Sequence, residues 1–312
     1  MCRQDKSRPK LVVLLGPTAS GKTDWALRLA KKCKGEIISA DSRQIYTKMS
    51  IGTAKPDGVW KHEGMHKVFY ADGLPHHLID IIDPGKQFTL ADFRDLAIKY
   101  IKRAARRGHV PMLVGGTGLY IQSITDNLEI PRVPPNKKLR LGLEEKDLHS
   151  LVSLLKKLDP AALPLVDVKN KRRVIRALEV TIMSGEPFSG QRQKGEPLFD
   201  ALKIGISMPR EELFRRIDMR ADAMVAGGLV REVQALSKQK YGWQLPSMSG
   251  IGYRQFKPYL EGASTLIEAV AALKRDTRRY AKKQMTWFRR DKSIRWCEKY
   301  EEAEKLVTEF LK

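Results

Sequence analysis

Residues 11–30 read LVVLLGPTASGKTDWALRLA, and this stretch decides the fold. An apolar run, 11–15, stands directly before a glycine-rich segment, and a helical pattern follows it. Residues 16–23 match GxxxxGK[ST] at every fixed position, in the strand–loop–helix context that the pattern requires. Two glycines let successive N–H groups point inward, and the helix N-terminus adds partial positive charge. The segment, called the glycine loop below, is predicted to bind phosphate.

Every residue of the glycine loop is a candidate ligand-binding residue: Gly16, Pro17, Thr18, Ala19, Ser20, Gly21, Lys22 and Thr23. Lys22 is expected to neutralise phosphate oxygens, and the Thr23 hydroxyl to ligate Mg²⁺, with Asp41 able to join through water. A tight turn without a ligand is the alternative, but it needs no Lys-Thr pair after the second glycine. The loop indicates a di- or triphosphate and does not say which group leaves.

The charge balance favours a polyanionic partner. The 312-residue chain has 58 Lys and Arg against 36 Asp and Glu, a net charge of +22 and a pI near 9.9. Nucleic acid is favoured over a membrane, because no apolar run approaches the roughly 20 residues that span a bilayer and no lipidation motif is present. The three cysteines (Cys2, Cys33 and Cys297) are too far apart for a CxxC pair, and the N-terminus is too polar for a secretory signal. These features predict a cytoplasmic protein.

The order of apolar runs predicts an α/β fold. Buried-strand candidates at 11–15, 36–40, 77–82, 112–114 and 202–206 alternate with helical patterns such as 93–107. This pattern is typical of a P-loop NTPase-like parallel sheet flanked by helices. Polar, Lys-rich and Pro-punctuated sequence predicts a helical insertion, so the expected domains are 1–126 (core), 127–197 (insertion) and 198–312 (core). The last part includes a long helix, 265–287, with basic faces that are either solvated or in contact with phosphates.

Three local features leave alternatives open. Asp41 follows a strand beside the loop, so it could hold Mg²⁺ through water, act as a base, or cap the next helix. Arg216 and Arg220 lie one turn apart and could clamp a pyrophosphate or pair with Asp218 and Asp222. The segment 62–66 reads HEGMH, which formally matches the zinc signature HExxH. A zinc site is rejected, because that signature needs one continuous helix and Gly64 interrupts it.

The succession of motifs resembles the tRNA dimethylallyltransferases from Leu11 to about Trp296. It runs GPTASGKT (16–23), ADSRQIY (40–46), IGTAKP (51–56), PHHLID (75–80), VGGTGLY (114–120), KRRVIRALEV (171–180), LFRRIDMRADAMVAGGLVREV (213–233), SGIGYRQ (249–255) and TRRYAKKQMTWFRRD (277–291). A phosphate loop alone is shared by many families. The same loop followed by these motifs in this order is highly specific.

The resemblance implies an activity. The family transfers a dimethylallyl group from dimethylallyl diphosphate to the exocyclic amine of the adenosine 3′ of the anticodon, in tRNAs that read codons starting with U. It implies that the glycine loop holds the diphosphate with Mg²⁺, that Asp41 accepts the amine proton, and that Thr117 and Arg220 contact the pyrophosphate, with Arg216 as a second candidate. A bacterial-type monomer bound to one tRNA, without the zinc finger of fungal and animal members, is expected.

The resemblance also implies the tRNA contacts. Residues next to the loop would read the flipped base, and residues in the insertion and near position 250 would meet the anticodon stem-loop. The first set is Asp41, Ser42, Arg43 and Gln44, and the second is Arg172, Arg173, Arg176, Ser249, Gly252, Tyr253 and Arg254. Arg43 and Gly118 vary in the family and receive no chemical role. The rival interpretations are a P-loop kinase of a small acceptor, which leaves the basic charge unexplained, and a non-catalytic RNA-binding protein.

Overall fold

The computed structural model describes residues 8–64, 66–191, 193–239 and 241–312. By its contacts the chain divides into two compact units. The first unit contains the chain up to Ile124 together with Leu198–Lys312, and the second contains Thr125–Pro197. The second unit is therefore inserted into the sequence of the first.

The first unit contains an eight-stranded sheet. Its strands are β1 (Lys10–Leu15), β2 (Gly35–Ser39), β3 (Val59–Glu63), β4 (His66–Ala71), β5 (Leu74–His77), β6 (Val110–Gly115), β7 (Asp200–Ile206) and β8 (Arg295–Cys297). They are ordered β3-β4-β5-β2-β6-β1-β7-β8. From β5 to β8 neighbouring strands are parallel, whereas β3 and β4 are antiparallel additions at one edge. β1 is hydrogen-bonded to β6 and to β7, so its carboxyl end lies in the interior of the sheet.

The helices of the first unit pack on both faces of the sheet. They are α1 (Lys22–Cys33), α2 (Leu90–Arg106), α3 (Gly118–Thr125), α7 (Arg210–Ala226), α8 (Leu229–Lys238), α9 (Lys257–Leu260), α10 (Leu266–Phe288) and α11 (Tyr300–Leu311), α3 ending at the first residue of the second unit. Alternate residues of β1 enter different cores: Leu11 and Val13 pack with α2 and α3, while Val12 and Leu14 pack with α1 and α11. This follows from the two-residue period of a strand that is covered on both faces.

The second unit is helical. It contains α4 (Lys137–Glu144), α5 (Leu148–Leu158) and α6 (Lys171–Ser184), with a 3₁₀ turn at Pro160–Ala162. Leu151, Leu155, Val174 and Leu178 are among the apolar side chains of its own core. Asn136, Asp147 and Asn170 each accept a backbone N–H as the N-cap of a helix, which explains where the three helices begin.

The predicted α/β class is confirmed, and two details of the sheet differ from the prediction. The strand expected at 77–82 ends at His77, because Leu78 and Asp80 have positive φ angles of 60° and 56° and turn the chain. Ile82 forms only an isolated bridge with Tyr46. The antiparallel pair β3–β4 was not predicted.

The histidines of the HEGMH segment lie on two strands rather than on one helix. His62 belongs to β3 and His66 to β4, and Glu63 is paired with His66 across the hairpin. Met65 lies outside the described residues. The helical geometry that the zinc signature requires is thus not formed by the described part of this segment.

Within the described ranges, no helix is long and apolar enough to cross a membrane.

Candidate active site

A cleft of about 520 Å³ lies in the first unit, at the carboxyl ends of the parallel strands. In parallel sheets this end is where ligands bind, because the loops that follow the strands converge there. The cleft is lined by the glycine loop, by the segment after β2, by residues 52–56, and by side chains of α7, α10 and the 249–254 segment. Most of the sequence-predicted site residues therefore meet at one place: Thr18, Lys22, Thr23, Asp41, Ser42, Arg43, Gln44, Arg220, Ser249, Gly252 and Arg254 all line it.

The glycine loop joins β1 to α1. Gly21 has a φ of 88°, a left-handed conformation that glycine adopts without steric cost, and it is the N-cap of α1 without a capping side chain. The first N–H groups of α1 are therefore not satisfied by a cap, and they lie where the helix dipole is positive. Lys22 Nζ donates to the Pro17 carbonyl at 3.0 Å, so the lysine folds back over the loop. This arrangement is suited to an anion.

Two cations, Lys22 and Arg220, meet at the loop. Arg220 reaches from α7 and donates to Thr18 Oγ1. Burial and the charge of Arg220 lower the pKa of Lys22 to about 8, although Asp41 opposes the shift. Burial also lowers the pKa of Arg220, which Asp41 partly offsets. Among the residues that the structure describes, neither cation forms a salt bridge, so both charges are available to a ligand.

Ser42, which follows Asp41 in the chain, links the Asp41 turn to Thr117. Asp41 Oδ1 accepts the Arg43 N–H at 2.8 Å, and Thr117 Oγ1 accepts the Ser42 N–H at 3.1 Å. Thr117 also donates its own N–H to the Ala40 carbonyl. The turn after β2 is thus fixed to the loop after β6, which orients the Asp41 carboxylate while one of its oxygens keeps room for a proton.

The Gln44 amide is held by its surroundings. Its Oε1 lies 3.2 Å from Ser39 Oγ, and its Nε2 donates to the carbonyls of Ala54 (3.1 Å) and Thr53 (3.4 Å). Arg43 donates to the Pro246 carbonyl. Both side chains line the cleft and link its walls.

Two residues expected to contact tRNA are not free to do so. Tyr253 is 1% exposed, and its hydroxyl donates to Glu232 at 2.8 Å; it is a core residue, which corrects the prediction. Arg176 donates to Glu179 at 2.7 Å and to the Val133 carbonyl at 3.0 Å, so its guanidinium is committed to the second unit's own structure.

The remaining predicted tRNA residues differ in exposure, from the exposed Arg172 to the buried Gly252. Arg172 is exposed, Arg173 is exposed beside Asp167 at 3.6 Å, and Arg254 is half exposed with Asp276 at 3.2 Å. Ser249 donates to the Pro246 carbonyl. Gly252 has a φ of 100°, and a Cβ there would lie 2.7 Å from the Gly52 carbonyl oxygen, so only glycine fits this close approach.

The Arg216 and Arg220 pair is split in the structure. Arg220 points into the cleft, whereas Arg216 Nε donates to Glu212 at 2.7 Å on the same helix. The two aspartates proposed as their partners are instead paired with α10: Asp218 with Arg278 and Asp222 with Lys274.

Sequence reasoning missed two polar residues that support the cleft. Gln284 on α10 accepts the Thr18 N–H at 2.9 Å and donates to the Gly116 carbonyl at 2.8 Å. Glu232 on α8 accepts hydrogen bonds from three consecutive backbone N–H groups, those of Ser50 (2.8 Å), Ile51 (2.8 Å) and Gly52 (3.0 Å). It therefore holds the start of the 52–56 segment, which lines the cleft. Gln284 carried a signal, because it is a polar residue in the apolar stripe of α10.

Tyr280, one turn before Gln284, completes the wall above Thr117. Tyr280 is 37% exposed, but desolvation on its cleft side, and then the charge of Asp41, raise its pKa to about 12, while Arg43 and hydrogen bonds to Thr117 and Gln284 act in the opposite direction. The phenol is therefore neutral at physiological pH and can serve as a hydrogen-bond donor.

The fold and the cleft define the class: an α/β protein with a cationic cleft at the carboxyl ends of its parallel strands. Family models identify the member of that class. The model described as IPP transferase matches residues 44–291, and the model described as isopentenyl transferase matches residues 9–77. The chain belongs to the IPP transferase family.

Individual relatives cover nearly the whole chain. It is 45% identical over 284 residues to a tRNA dimethylallyltransferase of Roseiflexus sp. (strain RS-1), covering 90% of each protein. It is 43% identical to that of Pelotomaculum thermopropionicum, covering 99% of this chain and 97% of the relative.

Solved structures show the same similarity. A full-length tRNA isopentenylpyrophosphate transferase from Bacillus halodurans superposes with a TM-score of 0.71 at 39% identity, over 97% of each chain. A eukaryotic dimethylallyltransferase, studied acting on tRNA, gives a TM-score of 0.72 at 27% identity, over 90% of this chain and 70% of that one.

Proposed function

We propose that the protein transfers a dimethylallyl group from dimethylallyl diphosphate to the N6 amine of the adenosine 3′ of the anticodon, in tRNAs that read codons starting with U. Diphosphate is released, and the protein acts as a cytoplasmic monomer. The observation that carries the proposal is the meeting in one cleft of the Asp41 carboxylate with two cations, Lys22 and Arg220, that form no salt bridge with any residue the structure describes. The names of the relatives support the same reaction.

The glycine loop, in the manner of a P-loop, would bind the diphosphate. N–H groups at the start of α1 donate to its oxygens, and Lys22 and Arg220 neutralise the charge that develops on the leaving group. The loop's own contacts put both cations near Thr18 and Pro17, so no large rearrangement is needed to present them.

The residues present fit a magnesium ion. Thr23 and Asp41 bring hard oxygen ligands to the cleft, while among the described residues there is no cluster of three or more His, Cys, Asp or Glu that could hold a metal alone. This matches Mg²⁺, which keeps several waters and completes its shell with substrate phosphates. When bound, the ion would supply further charge neutralisation at the diphosphate.

Asp41 is assigned the role of base. The exocyclic nitrogen of adenine is a poor nucleophile, because its lone pair is delocalised into the ring. Its attack forms the N6–carbon bond as the carbon–oxygen bond to diphosphate breaks, and one N6 proton must leave. Asp41 Oδ1 is held by the Arg43 N–H, so the carboxylate is oriented to accept that proton. Thr117 and Ser42 fix the turn that carries it.

The tRNA would enter from the basic side of the cleft. The target base must leave its stack, at a cost of a few kcal/mol that protein contacts offset. Ser42 and Gln44 line the cleft beside Asp41 and are assigned the reading of that base. Arg172, Arg173 and Arg254, whose side chains are accessible, are assigned contacts with the anticodon stem-loop.

Nucleoside mass spectrometry tests the proposal. Unmodified tRNA with adenosine 3′ of its anticodon is incubated with the protein, Mg²⁺, dimethylallyl diphosphate and labelled ATP. We expect a mass gain of one dimethylallyl unit on that adenosine, with ATP unchanged, and a rate of gain lower by about 100-fold or more with Asp41→Asn. Phosphate transfer from ATP with tRNA unchanged would contradict the proposal and indicate a kinase. Binding of tRNA without turnover would indicate a non-catalytic RNA-binding protein.

A further inference from the structure

Lys55 is a buried cation in the 52–56 segment, which lines the cleft. Its side chain is only 4% exposed. Its ammonium group donates to the Asp80 carboxylate and, at 2.8 Å, to the Tyr46 carbonyl. A buried charge is costly unless it is paired, and a buried ion pair often adds no more stability than apolar side chains would. The Lys55–Asp80 pair is therefore best understood by the segments that it holds together.

The ion pair joins two segments that both hold Gln44. On one side, the Asp80 N–H donates to the Gln44 carbonyl at 2.9 Å. On the other side, the carbonyl of Ala54, the residue before Lys55, accepts a hydrogen bond from Gln44 Nε2 at 3.1 Å. Tyr46, whose carbonyl accepts from Lys55, lies two residues after Gln44. The main chain and the side chain of Gln44 are thus tied to the same ion pair.

Both segments pass through backbone conformations that need support. Ala54 has a φ of 50° and Asp80 a φ of 56°, in the left-handed region that residues other than glycine rarely adopt. Such conformations persist only where the surrounding structure holds them. Lys55 supports both, because its backbone follows Ala54 and its side chain contacts Asp80. Loss of the pair would let the Ala54 carbonyl and the Asp80 N–H move away from Gln44.

We propose that Lys55 and Asp80 are positioning residues that set the orientation of the Gln44 amide in the cleft. The inference rests on the proposed role of Gln44 in reading the flipped base. Gln44 Nε2 is directed to the Ala54 carbonyl, and Oε1 accepts the Ser39 hydroxyl at 3.2 Å. An amide oxygen can accept two hydrogen bonds, so Oε1 keeps one place for a further donor. An N–H group of the adenine is such a donor, and Oε1 can accept from it only while the amide keeps its orientation.

The diphosphate site depends on other contacts. Lys22 donates to the Pro17 carbonyl, and Arg220 donates to Thr18 Oγ1. These bonds lie within the glycine loop and between the loop and α7, so they do not pass through the Lys55–Asp80 pair. Loss of the pair should therefore slow transfer to the base and leave binding of the donor unchanged.

A double-mutant cycle in the full chain tests the inference. Lys55→Met together with Asp80→Asn, called the neutral pair, leaves no unpaired buried charge, and asparagine tolerates a positive φ. The neutral pair is combined with Gln44→Ala, and single-turnover transfer, the donor KM and filter binding of tRNA are measured. In the wild-type background, we expect the rate to fall by about tenfold or more, with the donor KM and tRNA binding unchanged within about twofold. In the Gln44→Ala background, the neutral pair should lower the rate by less than about twofold, because the side chain that it positions is already absent.

A structural role alone would lower the rate by the same factor in both backgrounds, which would overturn the inference while the transferase stands. If Gln44→Ala transfers at the wild-type rate, Gln44 does not read the base and the inference is refuted. No transfer by the wild type would refute the proposed function, and the inference with it. If the neutral pair does not fold, Asp80→Asn alone takes its place in the cycle. Lys48→Met, which removes an exposed contact with Asp83 at 3.4 Å, is the control and should keep all three values.

Discussion

Arginine and lysine have opposite roles at two places in this chain, the Glu179 cluster of the second unit and the glycine loop of the first. In the second unit, Arg140 and Arg176 contact the fully buried Glu179 at 2.8 and 2.7 Å. Burial alone would disfavour the charge of Glu179, but hydrogen bonds from the two arginines lower its pKa. In the first unit, Lys22 and Arg220 are partly buried without an anionic partner among the described residues, and their pKa values are lowered.

The difference teaches how to recognise a binding site among many basic residues. A cation that neutralises a buried carboxylate stabilises the fold and has no charge left for a ligand. A cation that is desolvated without a partner destabilises the fold, and the protein tolerates this only where a ligand supplies the missing anion. With 58 Lys and Arg in the chain, net charge alone could not separate these two cases.

Replacing Asp41, the carboxylate of the cleft, should have the largest effect on activity. Asp41→Asn keeps the hydrogen bond with the Arg43 N–H but cannot accept the amine proton, so turnover should fall by about 100-fold or more. tRNA binding should stay nearly unchanged. Single-turnover kinetics and filter binding measure the two, with the exposed Asp200→Asn as control. An equal loss of binding and rate would refute the assignment of Asp41 as base.

Removing the anion of the second unit should instead reduce stability. Glu179→Gln leaves two guanidinium groups against a neutral amide and should lower the free energy of unfolding by about 3 kcal/mol. Urea denaturation measures this, and Glu145→Gln, at an exposed position of the same unit, should change it little. If Glu179→Gln is as stable as the wild type, the buried cluster is not what holds α4 and α6 together.

A neutral residue at position 22 should separate binding from stability. Lys22→Met removes a charge-assisted hydrogen bond to the diphosphate, so kcat/KM for the donor should fall about 10- to 100-fold. The thermal midpoint should equal or exceed that of the wild type, because the desolvated cation is gone. Lys31→Met, which breaks a surface pair with Asp72, serves as control. Unchanged kinetics at limiting donor would contradict the role of Lys22.

Raising the pH should lower the donor kcat/KM in the same way as Lys22→Met. With a pKa of about 8, Lys22 loses its proton as the pH rises through 8, whereas below that value it is charged and binds the diphosphate. The donor kcat/KM should therefore fall by up to about tenfold between pH 7 and 9. Lys22→Arg keeps its charge throughout this range, so its profile should be flat. A wild-type profile that is equally flat would show that the Lys22 charge does not control binding.

The exposed arginines should show the smallest effect. Arg172→Ala should weaken tRNA binding modestly and reduce the slope of log K against log[salt] by about one unit, because one phosphate contact is lost. The wild-type slope should amount to several units. Gln191→Ala, a neutral change in the same unit, should keep the wild-type slope. A slope unaffected by Arg172→Ala would place the phosphate contacts elsewhere on the chain.

Local patterns predicted the parts of the site that are local in sequence. The glycine loop and Asp41 follow directly from apolar strands, so their position at the end of the sheet could be inferred from the order of residues. Gln284 and Glu232 could not be placed, because their partners are 266 and about 180 residues away in the chain. Tyr253 was misassigned since a motif shows its residue type and not its burial.

The strands of the sheet show the same limit of sequence-based prediction, because some of them depend on contacts between residues far apart in the chain. The run at 77–82 is apolar enough for a strand, but the backbone N–H groups of Asp80, Ile81 and Ile82 bond to the carbonyls of Gln44 and Ile45 instead of continuing a ladder. β3, with the sequence VWKHE, has no apolar alternation and is exposed over most of its length, so nothing in its pattern indicated a strand. Long-range pairing decided both cases.

The position of β1 has a consequence for how the chain is made. β1 is paired with β6 on one side and with β7 on the other. In the sequence, the second unit lies between β6 and β7. During synthesis on the ribosome, β1 and β6 can pair early, but the other edge of β1 stays open until residues 200–206 have emerged. The second unit, whose helices have their own core, can fold before that moment. A chain released too early would carry the glycine loop on an unprotected edge strand, the kind of edge at which nascent proteins aggregate.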